Sequence, residues 1–461
     1  MLNKFFGTKQ FYKHLILLMV PIMIQNGITN FVNMLDNIMV GQVGTVQMTG
    51  VAVSNQLIFV FNLCIFGAIS GAGIFGAQFY GKGDHKGLRD TFRFKLIFCV
   101  ALTLLCIGIF LAFGENLIGF YLKGEGNPED AALSLMYAKK YLFVMLIGMV
   151  PYTIAQCYSS TLRETGQTVV PMVAGVAAVV VNLSLNYVLI FGKLGAPKLG
   201  VIGAAVATVI SRFAELIVVA AWTHLHKIEN KFIIGAFKSL KIPSRLCGQI
   251  IIKGLPLMIN ETLWAAGVAT INQCYSVKGL NVVAATNIST TFYNVFSVAF
   301  LAVGMSIGII LGQQLGAGKS ANEVKATARH SITFSVLLSA CIGIIYAIIS
   351  TFIPHAYNTS SEVKFLATGF MQIAALTMPI EAYVNAAYFT LRSGGKAFVT
   401  FLFDSCFMWC INVVTAFILC NYTALPILTI YLICQLLNLI KAIIGFVFIK
   451  KGVWIKKIVS D

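Results

Sequence analysis

Leu18-Met19-Val20-Pro21-Ile22-Met23 returns 235 positions later as Lys253-Gly254-Leu255-Pro256-Leu257-Met258, each an apolar run around a proline. At the same register Gln78, Gly81 and Gly83, from the stretch GAQFYGKGD, reappear as Gln313, Gly316 and Gly318 in GQQLGAGK. A second pair, Leu162-Arg163-Glu164-Thr165-Gly166 and Leu391-Arg392-Ser393-Gly394-Gly395, returns at 229, a small deletion away from that register. The chain therefore states much of its plan twice. Both copies are strongly apolar, and two like halves in a bilayer commonly hold a site at their interface and move about it, as secondary transporters do.

Composition leads independently to the membrane. Of 461 residues, 58% are hydrophobic, only 11% are charged and 35 are Phe; a soluble chain of that make-up could not cover itself with polar surface. Apolar runs of about 20 residues, enough to cross the hydrocarbon, are predicted near 14–41, 51–80, 95–113, 136–160, 168–191, 201–223, 256–276, 282–312, 331–353, 363–391, 397–420 and 426–449. They divide six and six. The expected architecture is an all-α membrane protein of twelve transmembrane helices in two pseudo-symmetric six-helix bundles, over 1–223 and 256–461. A polar, basic linker over 224–255, containing Pro243, would tether them.

The net charge of +17 suggests nucleic acid until its placement is considered. Segments that would share the side of the N-terminus carry 24 of the 33 basic residues: Lys4, Lys9, Lys13, Lys82, Lys86, Arg89, Arg93, Lys95, Arg163, the linker cluster from Lys227 to Lys253, Lys319, Lys325, Arg329, Arg392, Lys396 and the group from Lys450 to Lys457. The other side has Lys123, Lys139, Lys140, Lys193, Lys198, Lys278 and Lys364, with Glu115, Glu125, Glu129 and Asp130 among them. By the positive-inside rule both termini are predicted to be cytoplasmic, in a multi-pass protein of the cell membrane. The basic loops are then topology signals with some contact to anionic lipid, and no nucleic-acid partner is expected. The first apolar run contains Pro21 and Asp36 and lacks a small-residue cleavage site, so it reads as a span rather than a leader.

Several motifs are decoys. Gly71-Ala72-Gly73-Ile74-Phe75-Gly76 matches a dinucleotide fingerprint in form, but it lies inside a predicted span, where small residues serve close packing. The triplets Asn358-Thr359-Ser360 and Asn421-Tyr422-Thr423 carry no weight. The 11 Cys are scattered, and Cys406 and Cys410 have no His or carboxylate company, so they read as small apolar packers. With no HExxH or phosphate loop in the chain, neither an enzyme nor a cofactor is expected.

Ionisable groups within spans are costly and are functional candidates by default. They are Asp36, Arg212 with Glu215, Glu261, Glu381, Asp404 and Lys441. Arg212 and Glu215, three apart, can pair along one helix, and Lys441 can pair with Asp404. Asp36 differs, because topology places it at the depth of Asn182, Asn186 and Thr208. A carboxylate, two amides and a hydroxyl at one level suit a hard monovalent cation or a proton-linked cluster; alternatively the neutral groups only satisfy one another between helices.

These residues resemble the multidrug and toxic compound extrusion (MATE) transporters. The resemblance covers nearly the whole chain: Pro21 to Asp36 with the following NIMVG, GAQFYGKGD, LRETGQT, Asn182-Leu-Ser-Leu-Asn186-Tyr, GKLGAPKLGVIGAAVAT, GQQLGAGK and LRSGG. It implies two six-helix bundles arranged in a V, exporting organic cations and other amphipathic compounds against inward Na⁺ or H⁺. It places the family's span-one carboxylate at Asp36 and its span-five polar pair at Asn182 and Asn186; where some members carry Asp, this chain has Asn186. In the second half it transfers an acidic position to Glu381 and, about a turn out of register, to Glu261.

The expected activity is thus cation-coupled export by a monomer, with small organic cations and the bilayer as partners. Asp36, Asn182, Asn186 and Thr208 would hold the coupling ion. Neutral oxygens around Asp36 favour Na⁺, while a proton would need only Asp36. Glu261 and Glu381 would meet the charge of the drug, with Gln25 and Tyr293 as wall residues. The alternatives are a flippase for lipid-linked saccharides or cell-wall precursors, and a non-transporting membrane receptor or scaffold.

Overall fold

In a computed structural model of the chain, residues 5–122, 128–357 and 359–459 are described, apart from the side chains of Asn33, Met34, Asn37 and Pro128. Lys4, Lys123 and Glu125 of the charge pattern and Asn358 of the first triplet lie outside the described residues. The described chain is helical throughout its spans: α1 (Lys9–Gly41), α2 (Thr45–Lys82), α3 (His85–Leu122), α4 (Pro128–Glu164), α5 (Val169–Phe191), α6 (Val201–Leu225), α7 (Ser244–Ser276), α8 (Leu280–Gly316), α9 (Ala321–Ile349) and α10 (Ser361–Ser393). An eleventh span, Ala397–Tyr422, and a twelfth, Ile427–Lys451, complete the set. Helix is the only open-ended answer in lipid, because each backbone polar group must be satisfied within its own segment.

Among the described residues, eleven helices are long and apolar enough to cross a membrane. The one long helix outside that set, α7, has 33 residues, and its polar residues, Asn260, Glu261 and Thr262 among them, dilute its hydropathy. Helices outrun the predicted spans because polar turns continue them past the hydrocarbon: the run predicted at 95–113 is the middle of α3. Pro21, Pro151, Pro256 and Pro379 each lie inside a helix. A proline there removes one rung of the hydrogen-bond ladder, and the four fall into pairs: 21 with 256 at the 235 spacing, and 151 with 379 within one residue of the 229 spacing.

The chain divides into two compact units. One comprises residues 24–76 and 85–250 and packs α3 on α4, α4 on α6 and α5 on α6. The other comprises the chain up to Met23, Ala77–Asp84 and Ile251–Asp461, with α10 packed against α8, α9 and the twelfth span. Its core gathers Met19, Val303, Ile307, Leu311, Leu391, Phe403 and the fully buried Trp454.

Within this second unit, the ends of α2 and α8 cross backbone to backbone. A Cβ on Gly81 would overlap the carbonyl oxygen of Gln313, and a Cβ on Gly316 would overlap that of Gln78. Only glycine permits such an approach. The Gln78 side chain, fully buried, donates through Nε2 to the carbonyls of Ser393 at 3.1 Å and Lys456 at 3.2 Å, and accepts from the Ile458 amide at 2.8 Å.

The eleventh span is not regular. It contains two π-helical stretches, Leu402–Cys406 and Met408–Val413, of a kind that often marks functional positions. Asn260 of α7 secures the first: its Oδ1 accepts from the Ser405 amide at 3.2 Å and from Ser405 Oγ at 2.7 Å.

Candidate functional site

The first polar cluster belongs to the unit of residues 24–76 and 85–250. Along α5 a buried stripe runs through Ala174, Ala178, Asn182, Asn186 and Ile190, one residue every four, so both asparagines lie on the face turned to neighbouring helices. Small alanines on that stripe and Gly203 on α6 let the helices approach; a Cβ at Gly203 would sit 2.7 Å from the Leu189 backbone. Asp36 arrives from α1 and Thr208 from α6.

All four residues predicted for this site meet. Asn186 Nδ2 donates to Asp36 Oδ1 at 2.6 Å and to Asn182 Oδ1 at 3.1 Å, and Asn182 Nδ2 donates to Thr208 Oγ1 at 3.2 Å. Thr208 passes its own proton to the Ala204 carbonyl at 3.0 Å. With O and N of the Asn182 amide exchanged, its nitrogen instead donates to both Asp36 oxygens, at 3.0 and 3.3 Å, and its oxygen accepts the Thr208 proton in place of the Ala204 carbonyl, the bond from Asn186 to Asn182 being given up. No ion pair among the described residues involves Asp36. Asn186 Oδ1 is buried without a hydrogen-bond partner among them.

The second cluster lies wholly in the other unit. Arg392 Nη1 stands 3.6 Å from Glu261 Oε1, which also accepts from the Tyr388 hydroxyl at 2.7 Å. The Tyr388 oxygen accepts from Asn260 Nδ2 at 3.3 Å, and the same nitrogen reaches Asp404 Oδ2 at 3.0 Å. Lys441, 5% exposed, donates to Asp404 Oδ1 at 2.5 Å. The result is a continuous chain, Arg392–Glu261–Tyr388–Asn260–Asp404–Lys441, with a basic residue at each end. Glu381 makes no hydrogen bond to these residues in the bonds described; it accepts from Asn438 Nδ2 at 2.7 Å and lies within electrostatic reach of Lys441 and Asp404.

Other expectations distribute differently. Gln25 is buried and accepts from Arg163 Nη2 at 2.7 Å; Tyr293 packs on the apolar cluster of Phe300, Tyr346 and Met371. The anticipated Asp404–Lys441 pair forms. The anticipated Arg212–Glu215 pair does not, because both side chains reach across to α4: the Arg212 guanidinium lies 4.7 Å from the centre of the Tyr152 ring, and Glu215 accepts from Gln156 one turn on, at 3.4 Å.

Sequence reasoning missed Asn260 and Tyr388, although Asn260 adjoins Glu261 and Tyr388 lies two turns after Glu381. It also missed a buried ion pair. Lys95, counted as a topology charge, is 1% exposed and donates to Glu164 at 2.5 Å, Thr161 at 3.1 Å and Ser160 at 3.2 Å. This pair explains the false dinucleotide motif, since a Cβ on Gly76 would strike the Glu164 carboxylate and one on Gly73 would crowd it.

Comparison with known proteins agrees with this architecture. The MatE family model matches residues 21–188 and 256–418, one stretch in each copy of the repeat. Over 455 residues the chain is 26% identical to a probable multidrug resistance protein NorM of Thermotoga maritima, covering 97% of this chain and 94% of that relative. It is 24% identical over 423 residues to the probable multidrug resistance protein YoeA of Bacillus subtilis, covering 91% and 89%. A crystal structure of MATE in the straight conformation superposes with a TM-score of 0.86 at 18% identity, over 96% of this chain and 97% of that one. A MOP superfamily transporter from Pyrococcus furiosus, described as having a binding pocket of reversed polarity, gives 0.82 at 18% identity over 95% of each. At such identity the structures speak for the fold alone, and the family rests on the sequence model, which spans well over half of the chain. With a helical multi-pass fold, a twofold sequence plan and that match, the chain belongs to the MatE family of multidrug and toxic compound extrusion transporters and is not an enzyme.

Proposed function

We propose that the protein is a Na⁺-coupled antiporter of the cell membrane that exports lipophilic organic cations, with Asp36, Asn182, Asn186 and Thr208 as the coupling-ion site. One observation carries this reading: Asp36 is met by neutral amides, and beside it Asn186 offers a buried oxygen with no hydrogen-bond partner among the described residues. A carboxylate among neutral oxygens gives a hard cation both charge and ligands. With their nitrogens turned inward the amides satisfy an ion-free carboxylate; turned over, each presents an oxygen in the place of its N–H. The same side chains thus serve the empty and the occupied state.

For the substrate, Glu381 is the carboxylate of its unit best placed to answer a positive charge, because its hydrogen-bond donor is the neutral amide of Asn438, while Lys441, whose charge it also feels, donates to Asp404. Glu261 already has Arg392 and Tyr388. The relatives' names, multidrug resistance proteins, support export of foreign compounds. An anionic head group would need free cations, but Arg163 is engaged by Gln25 and Arg212 is stacked on Tyr152. In this reading the chain works as a monomer with both termini cytoplasmic, and 1–223 and 256–461 are the working halves joined by 224–255.

The test is reconstitution in liposomes. Dye export should follow an inward Na⁺ gradient imposed at equal pH on both sides. Transport indifferent to Na⁺ but driven by an imposed pH gradient would reassign Asp36 as a proton site.

A further inference from the structure

The segment between α6 and α7 was expected to be a polar tether, yet much of it is folded onto the start of α3. Arg93 donates through Nε to the Ala236 carbonyl and through Nη2 to that of Gly235, both at 2.7 Å, and is itself held by Asp90 at 3.0 Å. Arg89 Nε donates to the Phe232 carbonyl at 3.3 Å. Under these bonds Phe232, Ile233 and Ala236 are buried, and the Phe232 ring meets Phe92 edge to face at 5.4 Å. The segment is a strap with a fixed backbone.

Its outer face is unusual for such a well-held segment. Leu225, Ile228 and Leu240 are 80%, 87% and 63% exposed, and Ile234 and Phe237 are also exposed. Interleaved with them are exposed Lys227, Lys231, Lys238, Lys241 and Arg245, with Glu229 the single acid between 227 and 245. Water alone does not suit such apolar side chains. Both ends of the strap continue into long helices, α6, itself a span by length and composition, and α7, so the strap lies at the rim of the hydrocarbon. There, apolar groups enter the acyl boundary while lysines reach up to the head groups.

We propose that this strap is a binding surface for anionic phospholipid, with Lys227, Lys231, Lys238 and Lys241 on the head-group phosphates and Ile228, Ile234 and Leu240 seated at the acyl boundary. Positive charge beside spanning helices fits a negatively charged leaflet, and interleaved apolar side chains fit a lipid better than a soluble acidic partner. Because the strap's backbone is fixed by Arg89 and Arg93, its lysines meet the surface without the ordering cost that a loose loop would incur.

The experiment uses the full chain in detergent, titrated with phosphatidylglycerol or phosphatidylcholine and read by native mass spectrometry. The wild type should retain phosphatidylglycerol selectively, and less so as salt rises. Replacing the four lysines together (Lys227→Gln, Lys231→Gln, Lys238→Gln, Lys241→Gln) should reduce that selectivity by about tenfold or more, since each lysine near an anionic surface contributes roughly fivefold. Lys193→Gln with Lys198→Gln, in the α5–α6 connection, should leave it unchanged. The four lysines are exposed, so thermal melting should match the wild type. Should it not, the milder Lys227→Gln, Lys238→Gln double variant carries the test and should lose an intermediate share. Undiminished selectivity in a folded strap variant, equal retention of both lipids by the wild type, or an equal loss in the Lys193, Lys198 control would each overturn the proposal.

Discussion

The two polar clusters, one in each unit, treat their carboxylates in opposite ways. Asp36 is surrounded by Asn186, Asn182 and, through them, Thr208, with no ion pair to a base among the described residues. Asp404 and Glu261 are instead closed off by Lys441 and Arg392, one base for each acid. An acid with an internal counter-charge has little reason to recruit one from outside, whereas an acid held by neutral groups can exchange those contacts for an ion. Shared ancestry has therefore not produced two equivalent charge sites. On the proposed reading, ion exchange falls to the unit of Asp36, and Glu381, whose hydrogen-bond donor is the amide of Asn438, is the acid of the other unit that most resembles it.

The sharpest way to break this comparison is Asp36→Asn. Ethidium export at matched expression, in cells lacking other pumps, is expected to fall to the empty-vector level while the protein still inserts; export at the wild-type rate would erase the distinction. Next in size is Lys441→Met, which strands Asp404 as a buried charge without its base. Removing one partner of such a pair costs about 3–5 kcal/mol, so thermal melting in detergent should drop by many degrees, and adding Asp404→Asn should recover most of it. A single variant that melts with the wild type would show that the pair is not holding the unit together.

A smaller effect separates Glu381 from Glu261. Glu381→Gln should slow export of a permanent cation several-fold more than export of a neutral substrate. Glu261→Gln should act chiefly on stability, by leaving Arg392 without its acid. Equal transport losses for both compounds in Glu381→Gln would remove its role. The smallest expected change is Thr208→Val. Loss of one hydroxyl, at about 0.5–1.5 kcal/mol, should raise the Na⁺ concentration for half-maximal transport a few-fold and leave the maximal rate near normal; an unchanged Na⁺ dependence would take Thr208 out of the site.

Much of this was legible in the sequence because the relevant signals are long and periodic. The repeat, the run lengths and the four-residue spacing of Asn182 and Asn186 survive any local detail. The Asp36 group could be assembled from direction and depth alone. What escaped is set by tertiary packing: the π-helical turns around Asp404 depend on Asn260 from a different helix. Lys95 and Arg392 were misread for one shared reason. Both lie at the edge of a predicted span, 95–113 or 363–391, where a charge tally assigns them to water, yet each side chain turns inward onto a glutamate. The strap between α6 and α7 was hidden likewise, because its polarity says nothing about the arginines of α3 that hold its backbone.

The crossing of α2 and α8 has a formal property. Gln78 faces Gly316 and Gln313 faces Gly81, and each residue's partner is the repeat-mate of its counterpart's partner. Residue i against j and j against i is the signature of an isologous interface, the kind made by two identical chains about a twofold axis. A single polypeptide here carries a homodimer's contact internally. Gly81→Ala and Gly316→Ala are thus the same mutation made from opposite sides, and their effects will not add: once either methyl has forced the helices apart, the second finds much of its room already made.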